Sequence, residues 1–134
     1  MSRTLRIGVV AAICMTGAAF ALNAAAQDPI AQAGDAEAGG EIYSTVCRGC
    51  HAVSIAPTLR GVIGRPIASV ADFAGYSDGL KAKASNTWTE ANLDAFLKSP
   101  GEFAPGTLMT KSIDNPQVRA DIIAYIATLP PPRS

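Results

Sequence analysis

The run CRGCH, from Cys47 to His51, gathers two of the three cysteines and the only histidine of a 134-residue chain. Thiols and imidazole are the side chains best suited to bonding soft metals or attacking an electrophilic carbon. A spacing of three puts both sulfurs on one side of a helical turn, with His51 a step further on, so the three groups converge on one object. A disulfide across two intervening residues would close a tiny loop and constrain the unfolded chain little. A thioredoxin-like redox pair calls for strands alternating with helices, and no run of β-branched residues flanks this site. A zinc site wants about four ligands, and no second cysteine or histidine pair remains to complete one. The fourth candidate is haem of the c type, which is attached at C-x-x-C-H. The thiols add to its two vinyl groups as thioethers, and the adjacent imidazole bonds the iron from the near side.

An export signal agrees with that chemistry. Arg3 and Arg6 precede an apolar run from Ile7 to Leu22 and small residues at Ala24, Ala25 and Ala26, so Met1 to Ala26 reads as a cleaved secretory signal peptide. The run is shorter than the roughly 20 residues of a membrane-spanning helix. Cys14 follows the bulky Ile13 and sits inside the apolar run, which argues against lipidation. Cleavage after Ala26 leaves residues 27–134, 108 in all, enough for one small domain. Losing Arg3 and Arg6 takes the 11 basic residues to nine, against 11 acidic ones. A mildly acidic chain without a basic cluster has no electrostatic means of holding nucleic acid or anionic lipid. In an oxidising compartment, thioether bonds would also protect both thiols.

An iron bonded by one imidazole has a second axial position, and its occupant decides function. Thioether ligation favours the reduced metal and raises the potential, whereas an open position binds small ligands or activates oxidants. With Met1 and Met15 in the leader, Met109 is the only sulfur donor left, 58 residues beyond His51. It lies in FAPGTLMTKS, an irregular stretch with proline and glycine. A methionine on no apolar helical stripe is placed rather than packed.

Three helical patterns must position these groups. The first starts at Asp35 as N-cap, has Glu37 in its first turn, and runs into the CRGCH motif with Ile42, Tyr43 and Val46 on its apolar side. The second is TWTEANLDAFLKSP, where Thr87 with Glu90 offers a capping box and Thr89 competes as cap. Leu93, Phe96 and Leu97 form its buried stripe, and Ser99 with Pro100 ends it. The third runs from Pro116 to about Leu129 behind Asn115 as cap, with Val118, Ile122, Tyr125, Ile126 and Leu129 on one face and Pro130 to Pro132 as its stop. Between the first two, residues 52–86 carry Pro57, Gly61, Gly64, Pro66, Gly75 and Gly79. So much irregular backbone suits a small domain only if a cofactor supplies part of the core.

In order along the chain, GDAEAGGEIYSTVCRGCHAV, APTLRGVIGR, GYSDGL, TWTEANLDAFLKSP, APGTLMT and RADIIAYIATL resemble the small class I cytochromes c, of the mitochondrial type and its soluble bacterial relatives. The resemblance covers nearly all of residues 27–134. It implies an all-α cytochrome c fold, a small single domain of three main helices plus loops packed around one haem c attached covalently through Cys47 and Cys50. It implies that His51 and Met109 are the axial ligands and that the Pro57 carbonyl accepts the other ring N–H of His51. Arg65, Tyr76, Trp88 and Thr107 match positions that hydrogen-bond or neutralise the haem propionates. Taken alone, they would read as a surface charge, two partly buried aromatics and a loop cap. Gly39 and Tyr43 match the crossing of the first helix over the last, against Ile122 and Tyr125.

Departures from the family pattern concern polarity. Phe103 stands where many relatives have a tyrosine near the methionine sulfur, and Leu80 near where an asparagine joins the same network; neither can donate a hydrogen bond. Around the exposed haem edge relatives carry lysines, whereas this chain has Val46, Gly101, Glu102 and Leu108. The function implied is a soluble, monomeric, periplasmic one-electron carrier and not an enzyme. Its donor would be a quinol:cytochrome c oxidoreductase and its acceptor an oxidase, a photosynthetic reaction centre or a peroxidase, with no nucleic-acid partner and no membrane insertion once the leader is cleaved. Two other classes are open to the same residues. One is a haem enzyme or gas sensor with Met109 displaced, for which TKSIDNP would be the mobile loop; the other is a tethered structural subunit.

Overall fold

A computed structural model describes residues 33–133; the leader expected over Met1–Ala26 and the cleavage point before Gln27 lie outside the described residues. Asp35 opens the first helix, its carboxylate accepting from the N–H groups of Glu37 and Ala38 at 2.8 and 3.2 Å, and α1 runs Ala36–Ile42. A π-helical turn, Tyr43–Cys47, follows before α2, Arg48–His51, carries the end of the motif. At that turn the hydroxyls of Ser44 and Thr45 donate back to the Glu41 carbonyl at 2.8 and 3.1 Å, which loosens the α-helical ladder where it widens.

The segment 52–86 is irregular except for one turn, α3, Asp78–Lys81, capped by Ser77. Of the two candidate caps for the next helix, Thr89 prevails. Its hydroxyl accepts from the Asn92 N–H at 3.1 Å, and α4 runs Glu90–Lys98. Thr87 instead forms an antiparallel bridge with Pro66, and among the described residues no longer strand pairing occurs. Ser99 ends α4, but Pro100 does not end helical structure: it opens α5, Pro100–Phe103, because a missing N–H is harmless at the first position of a helix. The last helix, α6, runs Pro116–Thr128, with Asn115 accepting from Gln117 and Val118 at 2.9 and 3.3 Å.

α1 and α6 form the most extensive helix–helix contact. A Cβ at Gly39 would overlap the Asp121 carbonyl, so the two backbones pass closer than any side chain would allow. Beside the crossing, the rings of Tyr43 and Tyr125 lie 5.1 Å apart, and the Asp35 N–H donates to the buried Asp121 carboxylate at 2.8 Å. Because α1 and α4 both pack on α6, that helix is buried beyond its expected stripe, at Arg119, Asp121 and Ile123 as well as Ile122 and Ile126. No helix among the described residues is long and apolar enough to cross a membrane.

Candidate cofactor site

A cavity of about 320 Å³ lies between the motif, α4, α6 and the loops. Every site residue singled out from the sequence reaches it. Cys47, Cys50 and His51 come from the motif, Pro57, Arg65 and Tyr76 from the irregular segment, Trp88 from just before α4, and Thr107 and Met109 from the loop after α5. Leu80, Leu93, Phe96, Leu97 and Ile126 make much of the remaining wall apolar.

His51 is fixed by the chain that follows it. Ser54 takes a left-handed φ of 65°, the backbone reverses, and the Pro57 carbonyl comes to 2.7 Å from His51 Nδ1. A carbonyl can only accept, so Nδ1 carries the proton and Nε2 keeps its lone pair. Burial pushes the His51 pKa down, against an opposing pull from the Pro57 bond, which favours the neutral, ligating ring. Burial likewise pushes the Cys47 thiol pKa up. Cys47 and Cys50 form no disulfide, and among the described residues no three His, Cys, Asp or Glu side chains group closely enough to hold a bare metal ion.

The Pro66–Thr87 bridge sets Arg65 beside Trp88, whose N–H donates to the Arg65 carbonyl at 2.8 Å. The Arg65 guanidinium donates to the carbonyls of Thr58 and Arg60 at 2.7 and 3.1 Å and has no carboxylate partner among the described residues. Burial lowers its pKa, opposed by the nearby Tyr76. Tyr76 packs edge-on against Phe73 at 4.9 Å, and its hydroxyl accepts from the Val70 N–H at 3.2 Å, leaving its own proton to donate. Thr107 accepts from the Met109 N–H at 3.4 Å, a long bond.

One expectation changes. Of Phe96 and Phe103, it is Phe96 that lines the cavity with Met109, while Phe103 stacks on Trp88 with centroids 5.7 Å apart, beneath the Lys83 ammonium at 4.8 Å. The extra turn α5 carries Phe103 off the wall. The consequence for polarity stands, since Phe96 and Leu80 donate no hydrogen bond either. Sequence patterning also gave no reason to single out Arg119 and Asp94, which meet at 2.6 Å. The only signal was a charged residue flanking the apolar stripe of α6, and such residues are usually solvated.

Two thiols, an imidazole with a free lone pair, a thioether and an unmatched cation, set in apolar walls, suit a flat apolar macrocycle with an acidic edge. That set of features defines a c-type haem domain. A family model described as cytochrome c matches residues 36–130. The chain is 41% identical over 108 residues to the cytochrome c-type cyt cy of Rhodobacter capsulatus, covering 77% of this chain and 53% of that protein, about half its length. Identity to the cytochrome c of Tetrahymena pyriformis is 43% over 101 residues, covering 72% and 90% of the two chains. Identity to the cytochrome c2 of Rhodomicrobium vannielii is 37% over 123 residues, covering 87% and 93%. Among solved structures, cytochrome cH from Methylobacterium extorquens is similar with a TM-score of 0.63 at 38% identity, over 71% of this chain and 99% of that one. The chain belongs to the cytochrome c family. It has the cytochrome c fold, carries one haem c joined covalently through Cys47 and Cys50, and is an electron-transport protein.

Proposed function

We propose that this chain is a soluble, monomeric, periplasmic one-electron carrier whose iron is held by His51 and Met109. The observation that carries the reading is a pair of donors on one cavity. His51 has its Nδ1–H tied to the Pro57 carbonyl at 2.7 Å and its Nε2 lone pair free, and Met109 is the only methionine among the described residues. Bound haem supplies a reversible Fe(II)/Fe(III) couple. His51 and Met109 would both bond its iron, leaving no place there for other molecules. Leu80, Leu93, Phe96 and Leu97 keep water out. Arg65, Tyr76, Trp88 and Thr107 would hold the carboxylate edge, Arg65 by charge and Tyr76 by its O–H.

The leader-like N-terminus supports export to the periplasm, and a carrier there takes its electron from a quinol-oxidising cytochrome complex and delivers it to an oxidase, a reaction centre or a peroxidase. The test is spectroscopic and uses the holoprotein. The oxidised form should show the weak red iron–methionine charge-transfer band, and the reduced form should refuse carbon monoxide. A missing band with ready carbon monoxide uptake would instead mark a haem enzyme or gas sensor with Met109 displaced.

A further inference from the structure

Between Met109 and Asn115 the chain has no regular structure, yet it must hold a side chain in place. Upstream, Met109 is secured by the long 3.4 Å bond to Thr107. Downstream, three hydrogen bonds hold the segment among the described residues. The Ile113 N–H donates to the Leu97 carbonyl at 2.8 Å, and Arg119 Nη1 donates to the carbonyls of Ile113 and Asp114, both at 2.9 Å. The Arg119 side chain is 7% exposed, and its Nε donates to Asp94 Oδ1 at 2.6 Å, while Asp94 itself is 43% exposed.

The arginine thus joins three bodies: α6 that bears it, α4 that bears Asp94, and the methionine segment. A staple between the two helices would need only the carboxylate. The two carbonyl bonds belong to the segment, and only a planar fork with several donors can make them while staying paired. We propose that Arg119, braced by Asp94, is a positioning residue that keeps the Met109 sulfur in the cavity and so sets how rarely the iron is open. This rests on the reading of Met109 as an iron ligand. Losing the clamp leaves two carbonyls without their partner and frees the downstream end of the segment.

The test uses reduced holoprotein with carbon monoxide as probe, in the wild type, Arg119→Lys, Asp94→Asn and a control, Asp121→Asn. The control removes a buried carboxylate that ties α6 to the Asp35 N–H and touches no part of the methionine segment. The expected result is about a tenfold faster uptake in Arg119→Lys and Asp94→Asn, with the red band lost at lower denaturant than the helical signal. Asp121→Asn should lower the unfolding midpoint and leave uptake at the wild-type rate. Unchanged uptake in the two clamp variants, or an equal rise in the control, would overturn the proposal. If Arg119→Lys does not fold, Asp94→Asn decides alone, because its partly solvated carboxylate is the milder loss. Ready uptake by the wild type would remove the ligand reading beneath the proposal and the proposal with it.

Discussion

Arg65 is the residue whose surroundings make least sense without a cofactor. Its guanidinium lies partly buried on the cavity wall, bonded to two carbonyls and, among the described residues, to no carboxylate. Taking a cation out of water costs several kcal/mol unless an opposite charge meets it, and a haem carboxylate would do so. Removing that positive charge should stabilise the oxidised iron, so the midpoint potential of Arg65→Gln is expected to fall by an amount on the order of tens of millivolts. Potentiometric titration at mildly basic pH measures it, and an unshifted potential would place Arg65 away from the carboxylates. Cys47, Cys50, His51 and Met109 were legible in the sequence because each is chemically rare there, whereas Arg65, Tyr76, Trp88 and Thr107 were reached only through the family resemblance. A lone histidine beside two thiols and a lone loop methionine have few other uses. Phe96 and Phe103 could not be told apart in the same way, since which of them lines the cavity depends on a turn that only the folded chain reveals.

The helices themselves could be read where their signals are local. Asp35, Thr89 and Asn115 cap by reaching two or three residues along their own chain, and the apolar stripe of α6 needs only its own period. The π-helical turn, α3 and α5 could not, because single turns gain little from propensity and form where tertiary contacts hold them. Arg119 was missed for the same reason: its partners lie 25 residues upstream and in the preceding loop. The α1–α6 crossing is the element-level feature most exposed to a single change. In Gly39→Val the new side chain must displace the Asp121 backbone, and the loss is expected to be about 3 kcal/mol. Chemical denaturation of the holoprotein would show it as a lower midpoint; a variant within about 0.5 kcal/mol of wild type would mean the helices have room to part.

At the scale of the described domain, side chains from the motif, α4, α6 and the loops converge on one cavity of about 320 Å³. Much of its wall is apolar side chain, which without haem would be left facing water. The chain made without haem, as the Cys47→Ala, Cys50→Ala double variant, is therefore expected to lose most of its far-ultraviolet helical signal. A native-like spectrum would show that the side chains close the gap unaided. If partners of the carrier dock at the rim of the cavity, its exposed residues decide how the rate responds to salt. Leu108 is 81% exposed, and Val46, on an adjoining recess, is 41% exposed, where a salt-sensitive interface would place charges. Oxidation of the reduced protein by an isolated cytochrome oxidase should change by less than about threefold between roughly 10 and 200 mM salt, and Leu108→Asp should slow it. A steep fall with salt would point to charge-guided docking. Most direct of all is a redox titration of wild type and Met109→Ala followed in the visible spectrum. If the thioether and His51 grip the iron between them, the variant loses the red band and its midpoint falls by more than about 59 mV, a tenfold change in a one-electron equilibrium. A variant with the wild-type spectrum and potential would contradict the ligand pair on which the carrier function depends.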